Sequence, residues 1–347
     1  MTRPITVAIT SVRGADAPSP GLVVAQTLRR QTALDVRIMA LATDPFVEGL
    51  QGLPAADHVV IVPSLDRDPA GFLACLRRLV REAAPVVLAP GSPRDVLLLS
   101  PHRAALARLS VRVLLPAERW LSALPFPPVG RRTLVPRHVV LGGRDRVHTL
   151  RGGWRYPVRV RWADGVVTVG RTLRELRAQL DARHHESLTA GVYESVTGVE
   201  IGVAAVSAGK RQSDIVAARL LTVSEKGCVW SAVTMTDPEV LATARRVLGS
   251  LRCPGAMEAR FVLDTRGRLW FVGLVPGFPS WVSLAAAAGH DLVTDYVRLA
   301  LGVAPAATTR GSNRMLLSRV SVDYPTTIET LTCLATQGEF RHASSRR

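Results

Sequence analysis

Over the first 118 residues, short β-branched runs alternate with amphipathic stretches. Thr6–Ser11, Val36–Ala40, His58–Val62, Val86–Ala89 and Val111–Leu115 read as strands, since brief apolar runs bounded by turn formers suit a sheet covered on both faces. Between them, Gly21–Arg30 opens after Pro20 and Pro69–Ala84 opens after Asp68, placing proline where a helix tolerates it best. The alternation predicts a parallel sheet flanked by helices for residues 1–121. Residues 14–21 (GADAPSPG) follow the first strand and precede a helix. They match no phosphate-loop spacing and read as a rigid turn, with anion binding through backbone amides as the alternative.

Residues 122–153 are rich in proline, glycine and arginine, show neither period, and are predicted to be a linker. A compact unit follows at 154–190, with strands at Pro157–Trp162 and Val166–Val169 joined by Ala163, Asp164 and Gly165, then a helix over 172–182. Asp-Gly between alternating apolar residues is a hairpin signal. From 191 to 303 the pattern is mixed α+β. Strands fall at Val192–Val196, Glu200–Ser207 and Ala217–Val223, and a helix runs from Asp237 to Leu248. A hairpin at Ala256–Leu263 and Arg268–Val272 turns at Asp264–Gly267, and Ser280–Ala288 and Asp291–Leu301 read as helices. Residues 304–347 read as a short C-terminal extension.

Composition narrows the partners. The chain carries a formal charge of +16, yet its arginines are dispersed, Lys210 and Lys226 are its only lysines, and aromatics make up 5%. Nucleic-acid binding needs clustered cations and stacking surfaces, so it is not expected. Cys75, Cys228, Cys253 and Cys333 lack metal or redox spacing and read as reduced thiols. There is neither a signal-peptide core nor an apolar run long enough to span a bilayer, which predicts a cytoplasmic protein without a membrane partner.

Several strings, taken in order, resemble the ATP-grasp family, specifically bacterial carbamoyl-phosphate-synthase-like members found with peptide-modifying enzymes. They are YPVRVR at 156–161, YESVTGVE at 193–200, EKGCVW at 225–230, FPSW at 278–281 and AGHDL at 288–292. The resemblance spans roughly residues 4–340 and implies an N-terminal Rossmann-like domain, a small central β-rich subdomain and a larger C-terminal α+β subdomain. It also implies carboxylate activation by ATP, with cations around the transferring phosphoryl group and magnesium held by oxygen ligands.

The family's magnesium ligands come from the last core hairpin, and the positions matching them here are Arg260, Gly273 and Val275. None offers a side-chain oxygen. The family's next proline-to-arginine step is Pro276 followed by Gly277, and its covering glycine-rich loop is replaced by the turn at 163–165. The phosphate-gripping lysine is matched by Arg161, which either keeps a nucleotide contact or is an exposed arginine on a small sheet. The hinge residues Glu194, Ser195 and Val196 match those facing adenine. Glu200 matches the acid that holds the ribose, or is a solvated strand residue. Glu258, two residues before Arg260, shares its side of the strand and is a candidate relocated ligand. Asp264 is explained by its turn. His184, His185 and Glu186 read as a solvated helix end, and Trp230 and Trp281 as core packing or a retained cleft surface.

This reading predicts a degenerate ligase, a pseudoenzyme acting as a binding or scaffold partner in peptide or small-molecule biosynthesis. ATP binding is expected to be weak and magnesium absent. The expected partner is an active ATP-grasp paralogue or a peptide substrate, in a homo- or hetero-oligomer. The alternative is an active carboxylate–amine ligase with non-standard metal ligands.

Overall fold

A computed structural model of the chain describes residues 4–12, 19–31, 33–46, 56–83, 86–142, 153–183, 188–224, 227–306, 314–320 and 327–341. It is a mixed α/β architecture built on three sheets. The first contains β1 (Ile5–Thr10), β2 (Val36–Ala42), β3 (His58–Ile61) and β4 (Val86–Ala89), all parallel, in the order β3-β2-β1-β4. Helices α1 (Pro20–Arg30) and α2 (Pro69–Ala83) pack on it. Ser19 caps α1, its hydroxyl accepting from the Leu22 N–H. Gly21 donates its N–H to Gly91 O, and a Cβ there would lie 2.5 Å from Thr10 O, so this glycine permits a close approach of backbones. Residues 111–115, predicted as a fifth strand, are reduced to one parallel bridge between Arg112 and Val87.

The chain continues through α3 (Pro93–Leu99), α4 (Arg103–Arg108) and α5 (Glu118–Leu121) into the segment predicted as a linker. Among its described residues it is not a linker. Its strand β5 (His138–Leu141) pairs antiparallel with β8 (Ala190–Glu194), in a four-stranded sheet ordered β5-β8-β6-β7 with β6 (Val158–Trp162) and β7 (Val167–Gly170). Upstream of β5, Leu124 and Phe126 are buried. Prolines interrupt any period here, and the partners are distant in sequence, so the local pattern carried no strand signal. Because β8 lies in this small sheet, the boundary with the large unit falls after Glu194 rather than at 190. Val158, Val160 and Trp162 pack beneath the sheet against α6 (Leu173–Ala182), whose first turn is capped by Thr172.

The largest sheet is antiparallel, ordered β13-β12-β9-β10-β11-β14. It comprises β9 (Gly198–Ser207), β10 (Val216–Val223), β11 (Val229–Met235), β12 (Gly255–Asp264), β13 (Leu269–Pro276) and β14 (Leu316–Ser318). Helix α7 (Pro238–Leu251), capped by Asp237, covers one face, while α8 (Val282–Ala287) and α9 (Leu292–Ala300) join the other face to the first sheet. Main-chain bonds from Phe271 N–H to Leu134 O and from Leu274 N–H to Pro125 O run the 124–134 segment along the open edge of β13.

The tail is not an appendage. β14 extends the large sheet, and α10 (Ile328–Gln337) leads into β15 (Glu339–Arg341), which pairs antiparallel with β3. Strands of three residues are too short to reveal a period. Among the described residues, no helix is long and apolar enough to cross a membrane.

Candidate functional site

Alternation along β6 sends Val158, Val160 and Trp162 into the small core, and Arg159 and Arg161 toward the large sheet. Arg159 meets Glu200 of β9, with Nη1 2.6 Å from Oε1. Burial works against ionising Glu200, but Arg159 first, then Arg260 and Arg161, outweigh it and hold the carboxyl below its ordinary value. Arg161 is 4% exposed, so it is not a surface arginine. Its Nε donates to Val272 O at 3.1 Å and its Nη2 to the Tyr193 hydroxyl at 3.4 Å. The side chain lies on Gly273, which adopts φ +136°, and a Cβ at that position would stand 2.7 Å from Arg161 Cδ.

On the same face of the large sheet, β12 sets Glu258 opposite Ala204 and Arg260 opposite Gly202. Both side chains are buried. Arg260 Nε approaches Glu258 Oε1 at 2.9 Å without a directed hydrogen bond, so the contact is ionic. The same oxygen accepts from Trp281 Nε1 at 2.6 Å. Gly202 makes room for this cluster, since a Cβ there would be 2.5 Å from that oxygen. Trp281 is fully buried, as core packing predicts, while Trp230 is half-buried. Farther along the hairpin, Val275 lies under the 163–165 turn, where a Cβ on Gly165 would be 3.1 Å from Val275 Cγ1. Gly277 bonds through its N–H to Ala256 O.

Asp264 accepts from the N–H groups of Arg266 and Arg268, from Arg268 Nε and from Trp270 Nε1. The Trp270 indole, followed by these other donors, keeps its carboxyl far below the usual range. The hinge lies beside this turn. Glu194, Ser195 and Val196 line a shallow groove of about 370 Å³ with Arg137, Asp264 and Arg268. Glu194 N–H bonds to Arg137 O and Ser195 N–H to Pro157 O, so two of the hinge donors are engaged by the chain itself. Neither Arg161 nor Glu200 lines this groove. The predicted string at 225–230 is described only from Gly227, and His184, His185 and Glu186 lie outside the described residues.

Solved structures supply the comparison. The biotin carboxylase domain of Hydrogenobacter thermophilus 2-oxoglutarate carboxylase, solved with MgADP, ADP and bicarbonate, superposes with a TM-score of 0.64 at 12% identity, covering 89% of this chain and 73% of that one. The L-amino acid ligase from Bacillus licheniformis gives 0.60 at 15% identity, with 87% and 75% covered. The ADP complex of N5-carboxyaminoimidazole ribonucleotide synthetase gives 0.58 at 14% identity, with 89% and 81% covered. This chain has the ATP-grasp fold. No protein-family model matches the sequence, and no curated protein does.

An ATP-grasp site that uses magnesium needs hard oxygen donors. The side chains at 260, 273 and 275 are a guanidinium, a hydrogen and an isopropyl group, so these three positions do not fit the ion. Of the nearby acids, Glu258 is held by Arg260 and Trp281, and Asp264 by its own turn. Sequence reading assigned no individual role to Arg159, Tyr193 or Gly202, which take part in these contacts. The first was visible in YPVRVR, where a period of two places it beside Arg161. The other two act through a hydroxyl contact and a missing side chain, which leave no pattern.

Proposed function

We propose that this chain is an ATP-grasp-fold protein without phosphoryl-transfer activity, serving as a binding or scaffold partner in a cytoplasmic peptide or small-molecule biosynthetic system. The partner is an active ATP-grasp paralogue or a peptide substrate. One observation carries the reading. At a position matched to a magnesium ligand stands Arg260, buried and ion-paired to Glu258. A fixed internal cation there opposes a second cation. The groove at the hinge leaves room for weak, magnesium-independent nucleotide contact.

The alternative, an active carboxylate–amine ligase, requires Glu258 or Asp264 to supply metal ligands and arginines to replace the lysines, and Glu258 Oε1 is already engaged by both Arg260 and Trp281. Calorimetric titration with ATP, with and without Mg²⁺, tests the reading alongside an ADP-release assay over a panel of carboxylates and amines. Weak or silent titrations unaffected by Mg²⁺, with no ADP released, are expected. Tight magnesium-dependent binding with turnover would refute the proposal.

A further inference from the structure

The small and large sheets touch at several points through side chains of the chain itself. Arg159 of β6 reaches Glu200 of β9, and Arg161 of β6 reaches the Val272 carbonyl of β13. Arg161 is buried, yet its hydrogen bonds go to a carbonyl and a phenol, and the Glu200 carboxylate acts on it only through space. A buried guanidinium is expensive to desolvate, so the groups that receive its N–H bonds hold it firmly in place. At the mouth of the cleft, the 163–165 turn rests on Val275, and a Cβ on Gly227 would be 2.7 Å from Gly165 O. Each contact joins the two units.

We propose that the cleft is shut by an internal clasp, in which Arg159 and Arg161 of β6 grip β9 and β13 and seat the 163–165 turn over Val275. This rests on the non-catalytic reading above and gives it a physical form. The closed arrangement is then intrinsic to the chain.

Accessibility of a thiol beneath the turn reads the clasp directly. In the full chain carrying Val275→Cys, maleimide labelling at position 275 is followed by peptide mass spectrometry. Cys253, 4% exposed and lying in the core beneath α7, reports unfolding in the same molecules. The expected result is slow labelling of both thiols with the clasp intact. Labelling at 275 should become at least tenfold faster on adding Arg159→Met or Arg161→Met, with Cys253 unchanged. Arg159 is half-buried, so its variant guards against the case in which Arg161→Met unfolds the protein. Equal acceleration of both thiols, or of neither, overturns the clasp. So does labelling at 275 that is already as fast as at the partly exposed Cys228 and Cys333. ADP release by the unmodified protein would refute the non-catalytic reading alone, whatever the labelling shows.

Discussion

Replacing Arg260 with methionine isolates the internal cation of the cleft. The substitution keeps the bulk of the stem and removes the guanidinium, leaving Glu258, 2% exposed, with Trp281 Nε1 as its remaining polar contact. Removing one partner of a buried ion pair costs about 3–5 kcal/mol, because the other charge stays desolvated. Adding Glu258→Gln removes that charge and keeps an oxygen for Trp281. The remaining penalty is an orphaned amide N–H, about 1–3 kcal/mol. The double variant should therefore be more stable than the single one by about 2 kcal/mol, the difference between the middles of those two ranges and more than a tenfold change in the unfolding equilibrium. Urea unfolding followed by tryptophan fluorescence measures this with Trp281 at the site. A loss below about 1 kcal/mol on Arg260→Met, or a double variant no more stable than the single, would refute the argument that this pair is a buried, mutually dependent charge cluster.

Two further outcomes follow from the geometry. Gly273→Ala should destabilise by about 2–4 kcal/mol, combining an unfavourable φ with the encroachment on Arg161, and Arg161→Ala should restore part of that in a double-mutant cycle. Additive losses in the cycle would show that the two residues are not in contact. His58, buried on β3, contacts Glu339 of β15 at 2.8 Å, and burial, despite that contact, holds its pKa below the ordinary value. Its contribution to stability is present above the unfolded value of about 6.5 and is lost as pH falls through the lower folded value. Limited proteolysis should accordingly release the tail more readily at pH 5 than at pH 7.5, and His58→Gln should flatten that difference.

The elements that could be read in the sequence are those whose partners are near or whose period is long. β6, its Asp-Gly turn and α6 follow from local alternation and capping, and Asp237 marks the start of α7 through its own side chain. The matched positions Arg260 and Gly273 were visible as residue types. What surrounds them was not, because Arg161 meets Gly273 across two sheets, 112 positions apart in sequence, and a contact made possible by a missing Cβ leaves no signature. The 124–142 segment was illegible for a related reason. Its main-chain bonds go to Phe271, Leu274 and β8, so the pairing that orders it lies in other parts of the chain.

The pairing of β15 with β3 sets a clock on biosynthesis. His58 and Glu339 are 281 positions apart, so the outer edge of β3 emerges from the ribosome long before the strand that covers it. At about 5–20 residues per second, that interval is roughly 15–60 s. Throughout it, the nascent first sheet presents unpaired N–H and C=O groups to neighbouring chains on the same message. Translation speed between codons 58 and 339, and the supply of chaperones during that interval, should therefore govern how much of this protein reaches its folded state.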